Sequence, residues 1–387
     1  MPAKPIPLKI ALVLDDSLDR PDGVQQYVVT LGEWLRTRGH DVHYLTSTTT
    51  RQDIPNIHSL GRNMGVRFNG NRLRMPLPAN QRSITALLQE EQFNVLHVQM
   101  PYSPFLAGRI IAAAAPDTAV VGTFHILPHG WAADLLSHVL AAWCWPTLRR
   151  YDRVMSVSDG AQAFARRAFG VRSDVVPNAV QVERFRHARP HRLHGKEALH
   201  ILFLGRLVPR KGCLTLLEAI AMLNKQDASL PAYSVTICGS GPLEYNLKRY
   251  VREQGLADLV TFTGFVPEIE KPRYYAGADI AVFPSMAGES FGIVLVEAMA
   301  NGHTAVLAGD NPGYRFVLRD SPGEVLFDPF DPAHLASRLR MLLHDTALRR
   351  HIATWQGRHA EEFAVGRVGA QVEETYQAAL RHRRSMR

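Results

Sequence analysis

Length and composition favour an ordinary globular protein with two domains. The chain has 387 residues, of which 46% are hydrophobic and 21% charged, so it is neither disordered nor fibrous and exceeds the usual size of one hydrophobic core. The formal net charge is +8, and residues 1–195 hold 22 Lys and Arg against 15 Asp and Glu. The basic balance alone would suit a nucleic-acid partner, but no aromatic-studded basic sheet or recognition-helix motif supports one.

Cysteine usage and the start of the chain indicate a reducing compartment. Cys144, Cys213 and Cys238 are too few and too scattered for a disulfide framework or a zinc site, and their odd number predicts reduced thiols. Residues 1–9 lead into a strand pattern without the apolar region and cleavage site of a secretory signal. We therefore expect a cytoplasmic protein.

Two stretches have the composition of a membrane-contacting surface. Residues 131–148 are apolar, but Asp134, His138 and Pro146 interrupt them and they fall short of the ~20 residues of a span. We interpret them as a helix that forms either an interfacial surface or ordinary core and rim. Residues 62–82 contain no acid and suit an anionic membrane or a phosphorylated acceptor, the alternative being a solvated basic loop. Their arginines are Arg62, Arg67, Arg72, Arg74 and Arg82.

Strand and helix patterns alternate in both halves of the chain. The apolar runs of the first half are residues 9–14, 42–46, 95–98, 119–124 and 153–157. Those of the second half are residues 200–204, 234–238, 260–263 and 280–283. Helical patterns separate them, most clearly at 24–38, 213–224, 242–254 and 291–300. Strands that are apolar on both faces and separated by helices predict parallel sheets, and each series opens with a strand, a glycine-containing loop and a helix.

This doubled pattern predicts an α/β fold of two Rossmann-like domains whose parallel sheets face each other across a cleft. Between residues 180 and 200 the pattern gives way to Arg and His residues around Pro190, a composition typical of a linker. The sequence therefore places domains at 1–188 and 196–364. Residues 332–363 and 365–384 read as helices, the last of which (about 365–387) packs back on the first domain.

A basic loop follows the predicted strand 200–204. From Gly205 to Gly212 it reads Gly-Arg-Leu-Val-Pro-Arg-Lys-Gly, at the carboxyl end of a strand and the start of a helix, where open α/β sheets bind ligands. Fixed cations beside unpaired helix amides would neutralise a diphosphate leaving group. We assign that role to Arg206 and Lys211, the alternative being an ordinary basic turn.

A second motif, Gly-Glu-Ser-Phe-Gly at 288–292, follows the predicted strand 280–283. The carboxylate of Glu289 can accept hydrogen bonds from sugar hydroxyls, and the amides of residues 290–292 can face phosphate oxygens. Glu297 lies eight residues on, roughly two helical turns, and can accept bonds from a ribose. Glutamates so spaced are often only solvated, but this position after a strand favours a nucleotide-sugar site.

These motifs, together with Val176-Pro177-Asn178, resemble those of the retaining GT-B glycosyltransferases of family 4. Within that family the chain is most similar to the bacterial phosphatidylinositol mannosyltransferases, through residues 23–25, 122–125 and 289–297. The resemblance extends over nearly the whole chain. It implies that the first domain binds the acceptor and the second binds the nucleotide sugar.

The resemblance also implies further site residues. Gly23 would let the backbone approach the donor diphosphate, because any Cβ would intrude there. His125 would contact the sugar near the reacting carbon and Val266 would lie beside the nucleobase, although His125 alone reads more readily as structural. The donor-binding set is completed by Ser290, Phe291, Gly292 and Ile293.

The activity implied is transfer of mannose from GDP-mannose to a lipid or glycan acceptor, with retention of configuration by same-face displacement and without a metal. Asp22 stands where the family has the first glycine of a pair, and it adds a carboxylate near the anionic donor. Residues 126–130 replace a Thr- and Ser-rich run of the inositol enzymes, so we do not extend the resemblance to the identity of the acceptor.

The expected location is the inner face of the membrane, with a peripheral contact to anionic lipid. Asp15-Asp16 is the nearest approach to a metal-binding Asp-x-Asp, and we interpret the pair as loop residues. A non-hydrolysing sugar-nucleotide epimerase, with His125 and Glu289 as acid and base, is the alternative enzyme.

Overall fold

The computed structural model describes residues 6–19, 22–61, 63–68, 71–76, 80–128, 131–191, 198–226 and 229–386. The chain divides into two compact units, Met1–Ala179 with Val365–Arg387, and Val180–Ala364. The boundary thus falls before the predicted linker, whose first part supplies a short helix to the second unit.

The first unit is built on a parallel sheet of seven strands in the order β3-β2-β1-β6-β7-β8-β9. The strands of this unit, including the separate antiparallel hairpin β4-β5, are β1 Lys9–Leu14, β2 Asp41–Ser47, β3 Ile57–Gly61, β4 Asn63–Phe68, β5 Asn71–Pro76, β6 Val95–Val98, β7 Ala119–Phe124, β8 Arg153–Ser156 and β9 Asp174–Val175. The helices between them are α1 Gly23–Thr37, α2 Gln81–Glu91, α3 Leu106–Ala113, α4 Trp131–Leu148 and α5 Asp159–Phe169.

Both faces of this sheet are buried, as strand β1 illustrates. Ile10 and Leu12 belong to the core cluster on one face, whereas Ala11 and Val13 belong to the cluster on the other. All four side chains are fully buried, and burying each of the larger ones stabilises the fold by roughly 1.5–3 kcal/mol. This two-sided burial is why β1 reads as a continuous apolar run rather than an alternating one.

The second unit is also built on a parallel sheet, which has six strands in the order β12-β11-β10-β13-β14-β15. Its strands are β10 Leu199–Leu204, β11 Tyr233–Cys238, β12 Val260–Gly264, β13 Ile280–Phe283, β14 Ala305–Gly309 and β15 Leu326–Phe327. Its helices are α6 Val182–Arg186, α7 Cys213–Gln226, α8 Glu244–Glu253, α9 Lys271–Gly277, α10 Ile293–Met299, α11 Pro312–Val317, α12 Pro332–His344 and α13 Thr346–His359.

The last helix, α14 (Val365–Ser385), returns to the first unit. The hydroxyl of Tyr376 lies 2.7 Å from Nδ1 of the buried His97 on β6. Farther along, the guanidinium of Arg383 forms a 2.7 Å ion pair with the buried Asp152. Helix α14 therefore packs on the first unit through polar contacts as well as through apolar side chains.

Three sequence predictions differ from the observed elements. The predicted helix 332–363 is two helices, because the side chain of Asp345 accepts a hydrogen bond from the amide of Leu348 and starts α13. The predicted helix 291–300 begins only at Ile293. The basic stretch after residue 61 contains the hairpin β4-β5, in which Arg67 pairs with Arg72; Arg62 lies outside the described residues.

Candidate active site

The second sheet has its switch point between β10 and β13, because the chain runs outward from β10 to β11 on one side and β13 lies on the other. The loops that leave these two strands therefore meet at the carboxyl edge of the sheet. The amide of Met286 donates to the carbonyl of Arg210 at 2.8 Å, and the hydroxyl of Ser285 donates to the same carbonyl at 3.2 Å. Both sequence motifs are thus joined in one site.

Glu289 is the centre of this site. Its Oε1 accepts hydrogen bonds from the guanidinium of Arg210 at 2.6 Å, from Nζ of Lys211 at 2.7 Å and from the hydroxyl of Ser285 at 2.8 Å. The side chain of Glu289 is only 13% exposed and that of Lys211 17%. The two predicted residues are therefore directly paired, and Arg210 is a third charged member that sequence analysis did not select.

The charged groups of this cluster shift one another's pKa values. Burial alone would raise the pKa of the Glu289 carboxyl, but the positive charges of Lys211 and Arg210 and the hydrogen bonds to it lower that pKa to about 2. Burial lowers the pKa of the Lys211 ammonium, and the carboxylate of Glu289 opposes that effect. The cluster consequently holds an ionised carboxylate and two cations in a partly dry setting.

Two glycines allow these loops to approach each other. Gly212 ends the short 3₁₀ turn Pro209–Lys211 with φ +67°, and a Cβ there would overlap the carbonyl oxygen of Pro284. Gly292 has φ +112°, and a Cβ there would overlap the ring of Tyr314. Such φ values are strained for other residues, and they keep residues 288–292 out of helix α10.

The other residues that the sequence predicts to bind the donor lie around the same edge. Arg206 is exposed in the loop after β10, and Val266 is buried just beyond β12. Glu297 is buried within α10, where the hydroxyl of Tyr275 donates to its Oε2 at 3.2 Å. Since the helix starts after Glu289, the predicted two-turn spacing between the glutamates is wrong: part of that distance is loop.

Ser290, Phe291, Gly292 and Ile293 form the junction between this loop and α10. Phe291 is buried against Phe363, with ring centroids 5.4 Å apart. Its side chain therefore anchors the loop in the core, whereas the other three are partly exposed.

In the first unit, Gly23 is the exposed first residue of α1 and His125 directly follows β7. His125 is buried, and its Nε2 lies 2.9 Å from Oε1 of Gln99. The amide of Gln99 donates from Nε2 to the carbonyl of His97 at 3.3 Å, which orients Oε1 toward the imidazole and makes Nε2–H of His125 the donor.

Burial governs the charge of His125. Burial lowers its pKa to about 3, although a hydrogen bond with Asn178 acts in the opposite direction. The ring of Tyr27 packs edge-on against it with centroids 5.0 Å apart. His125 is thus a neutral, fixed imidazole, suited to hydrogen bonding rather than to proton exchange near pH 7.

Asp15 is held by hydrogen bonds within the first unit. Its side chain accepts hydrogen bonds from the hydroxyl of Ser103 and, at 2.7 Å, from the amide of Ala107 in the first turn of α3. Burial raises its pKa to about 6 despite these bonds. Asp16 accepts a bond from the side-chain amide of Gln25 at 3.2 Å.

Among the described residues, His43, His58 and Glu91 bring three potential metal-ligating atoms within 4.8 Å of one another. They lie on β2, β3 and the end of α2, and Lys9 forms an ion pair with Glu91 there. The three cysteines of the chain are free, buried thiols. None of the helices in the described part of the chain has the length and apolar character to cross a membrane.

Two family models cover most of the chain. Residues 21–184 match Glycosyltransferase Family 4 and residues 185–355 match Glycosyl transferases group 1. The phosphatidyl-myo-inositol mannosyltransferase of Mycolicibacterium smegmatis is 32% identical over 96% of this chain and 94% of its own length. The Mycobacterium tuberculosis protein of the same name is 34% identical over 89% of this chain and 90% of its own length. The chain belongs to glycosyltransferase family 4.

Solved structures share the fold of this family 4 glycosyltransferase. Sucrose-phosphate synthase from Thermosynechococcus elongatus has a TM-score of 0.73 at 21% identity, covering 96% of this chain and 98% of its own. Anabaena HepE in complex with UDP and glucose has a TM-score of 0.74 at 18% identity, covering 96% and 100%. The predicted GT-B class with two parallel-sheet Rossmann-like domains is confirmed. The protein is a hexosyltransferase, which decides against the epimerase.

Proposed function

We propose that this hexosyltransferase moves mannose from GDP-mannose to a lipid or glycan acceptor with retention of configuration. The observation that carries the proposal is the convergence of Arg210, Lys211 and Glu289 at the switch point of the second sheet. The names of the relatives, which are mannosyltransferases acting on phosphatidyl-myo-inositol, support mannose and favour a lipid acceptor. The second unit binds the donor and the first binds the acceptor.

The reaction breaks the bond between the anomeric carbon and the diphosphate oxygen while the acceptor oxygen attacks from the same face. The proton of the acceptor hydroxyl passes to an oxygen of the departing diphosphate, so no enzyme nucleophile is used. Negative charge grows on the diphosphate, and preorganised cations stabilise it most in the transition state. Arg206, Arg210 and Lys211 provide three such cations in one loop.

Glu289 has a double role in this proposal. Through Oε1 it holds Arg210 and Lys211 in position, and Oε2, to which none of these bonds is made, accepts hydroxyl groups of the hexose. The amides of residues 290–293 face the phosphate oxygens. Glu297 accepts the ribose hydroxyls and Val266 packs beside the guanine base.

In the first unit we assign a contact with the sugar to His125 and a contact with the diphosphate to Gly23. The imidazole of His125 is held neutral by burial, so its proposed contact with the sugar does not involve exchange of a proton. Gly23 begins helix α1, where a small residue admits the diphosphate.

The same cations make a divalent metal unnecessary in the proposed reaction. Asp15, the nearest candidate ligand in the sequence, accepts hydrogen bonds within the fold. We place the enzyme at the inner face of the membrane, where a lipid acceptor would be presented and anionic lipid would attract its basic first unit.

Anomeric analysis of the product tests this function. The enzyme is incubated in chelator with GDP-mannose carrying ¹³C at the anomeric carbon, either with phosphatidylinositol vesicles or with soluble mannosides. We expect a mannoside whose one-bond carbon–hydrogen coupling has the value of the axial linkage found in the donor. An equatorial linkage contradicts retention, and a product formed only when Mg²⁺ is restored contradicts the metal-free mechanism.

A further inference from the structure

Two histidines face each other on neighbouring strands of the first sheet. Nδ1 of His43 on β2 lies 2.9 Å from Nε2 of His58 on β3, and the two rings are parallel with centroids 5.2 Å apart. His43 is buried, and the ring of Phe93 packs edge-on against it with centroids 5.1 Å apart. His58 lies on the edge strand and is half-buried. Packing therefore fixes one imidazole, while the other can be reached from solvent.

Glu91 brings a carboxylate to this pair. It is the last residue of helix α2, and its Oε2 lies 3.8 Å from Nε2 of His43. One potential ligand atom from each of the three side chains lies within 4.8 Å of the other two. Ligand atoms of a tetrahedral zinc site are roughly 3.4 Å apart, given bonds of about 2.0–2.1 Å. Side-chain movements of about 1 Å would therefore gather all three around one ion.

Asp41 orients the buried imidazole. Its Oδ1 lies 3.2 Å from Nε2 of His43, and because a carboxylate only accepts hydrogen bonds, that nitrogen carries the proton. The lone pair of His43 is then on Nδ1, which faces His58. A carboxylate behind one ring nitrogen is the usual support of a metal-binding histidine, since it fixes the tautomer and makes the other nitrogen more basic.

The cluster lies at the edge of the first sheet at which the strands begin. Lys9 and Asp41 are the first residues of the parallel strands β1 and β2, and His58 is the second residue of β3. His125, in contrast, follows the carboxyl end of β7. The carboxylates of Asp41 and Glu91 and the carbonyl end of the α2 dipole make this edge attractive to cations. The cluster is therefore separate from the predicted sugar-binding edge of this unit.

One cation of the protein itself competes for the cluster. The ammonium of Lys9 forms an ion pair with Oε2 of Glu91 and lies 3.8 Å from Oδ2 of Asp41. The side chain of Lys9 is 30% exposed, so it is able to move, and Asp41 remains as its partner when Glu91 turns to a metal ion. Lys9 should therefore weaken the binding of a metal ion without preventing it.

We propose that His43, His58 and Glu91 bind a divalent transition-metal ion, for which Zn²⁺ is the best match. Two imidazole nitrogens and a carboxylate suit Zn²⁺, whereas Mg²⁺ and Ca²⁺ prefer oxygen ligands alone. On binding, the proton on Nε2 of His58 moves through solvent to its Nδ1, Glu91 exchanges the ammonium of Lys9 for the ion, and water completes the coordination.

The proposed ion has a structural role. It joins the edge strand β3 to β2 and to the end of α2, so its binding energy stabilises the folded first unit. The inference does not depend on the proposed function, because the cluster contains none of the residues assigned to the donor or the acceptor.

Calorimetric titration of the full-length protein, without a purification tag, with zinc chloride tests the site. His58→Gln should weaken Zn²⁺ binding about a hundredfold or more because it removes a ligand, and Asp41→Asn about tenfold because it removes only the support of His43. His187→Gln is the matched control and should bind as the wild type does. His187 also faces a carboxylate, that of Glu183 at 3.4 Å, but the pair belongs to no three-ligand cluster among the described residues.

Lys9→Gln provides a test in the opposite direction. It removes the competing ammonium and keeps all three ligands, so it should strengthen Zn²⁺ binding about two- to fivefold, the scale of a partly exposed ion pair. This variant decides the question even if His58→Gln does not fold. Excess Zn²⁺ should also raise the midpoint of thermal unfolding of the wild type and of His187→Gln, but not that of His58→Gln.

Three results would overturn the inference. The first is Zn²⁺ binding that is equally strong in the wild type and in a folded His58→Gln variant. The second is a loss of binding in His187→Gln as large as that in His58→Gln, because zinc would then bind to scattered surface histidines. The third is binding that Lys9→Gln leaves unchanged or weakens, because Glu91 would then not be a ligand.

Discussion

Replacing Glu289 by glutamine should destabilise the second unit by an amount that can be worked out from its surroundings. In the wild type the pKa of this carboxyl is lowered from 4.5 to about 2, and each unit of pKa corresponds to about 1.4 kcal/mol. The ionised form is therefore favoured by about 3 kcal/mol in the folded state. Glu289→Gln removes that charge and leaves Arg210 and Lys211 without it, so we expect a loss of about 3 kcal/mol at pH 7.

The effect should also have a defined pH dependence. A depressed carboxyl pKa contributes stability above the unfolded-state pKa, and this contribution is lost as the pH falls toward the folded-state value. The stability difference between wild type and Glu289→Gln should thus shrink by about 1 kcal/mol between pH 7 and pH 4. Urea unfolding followed by tryptophan fluorescence at both pH values measures it.

A surface ion pair of the same unit provides the control. Asp310 pairs with Arg315 at 2.7 Å, but their side chains are 39% and 62% exposed, so Asp310→Asn should cost less than about 1 kcal/mol. If Glu289→Gln costs no more than this control, or if its cost does not change with pH, the ionised cluster at the switch point is not as we describe it.

Four further outcomes are expected. Lys211→Ala should lower turnover about a hundredfold or more, because it removes one electrostatic stabiliser. Lys248→Ala, which removes an exposed ion pair with Glu244 on a helix, should leave turnover unchanged. Similar turnover in both variants would contradict the role that we assign to Lys211. Gly212→Ala should destabilise more in urea than Gly255→Ala, since both have φ near +68° but only the first would clash, with Pro284; equal losses would argue against close approach of the loops. Because burial lowers the pKa of His125 to about 3, the imidazole stays neutral above that pH, and an inflection of kcat/KM near pH 6.5 that disappears in His125→Gln would contradict this. Transfer measured in excess chelator should equal transfer in Mg²⁺, and its abolition would require a metal.

The sequence predicts most clearly the strands that are buried on both faces, because all of their residues are then apolar. Strand β1 is covered on both faces, so residues 10–13 are all apolar and reveal a parallel sheet. Strand β3 (Ile57–Gly61) is an edge strand in which His58 is half-buried and Ser59 is exposed, so it has no continuous apolar run to detect. Asp345 is a residue type that caps helices, but the apolar pattern continues on both sides of it, so the pattern alone predicts one helix where there are two.

The candidate site was predictable in position but not in detail. The motifs around Lys211 and Glu289 each follow a strand, and neighbouring parallel strands bring their loops to one edge. The choice of Arg210 rather than Arg206 as the partner of Glu289 depends on the 3₁₀ turn at Pro209–Lys211, whose orientation is set by the contact of the Arg210 carbonyl with Met286. Contacts between residues far apart in sequence determine that turn, so spacing alone does not.

The hydrogen bonds of His125 could not be predicted from sequence spacing either. Gln99 and Asn178 come from distant parts of the chain, and nothing in the local sequence marks them as partners of an imidazole.

Titration calorimetry of the protein with GDP, UDP and ADP in excess chelator tests the central claim, that the loops at the second switch point bind a nucleoside diphosphate without a metal. We expect micromolar binding of GDP, weaker binding of the other two, and loss of GDP binding in Lys211→Ala but not in Lys248→Ala. Absence of binding by all three nucleotides, or GDP binding that is equally strong in Lys211→Ala, would contradict the account.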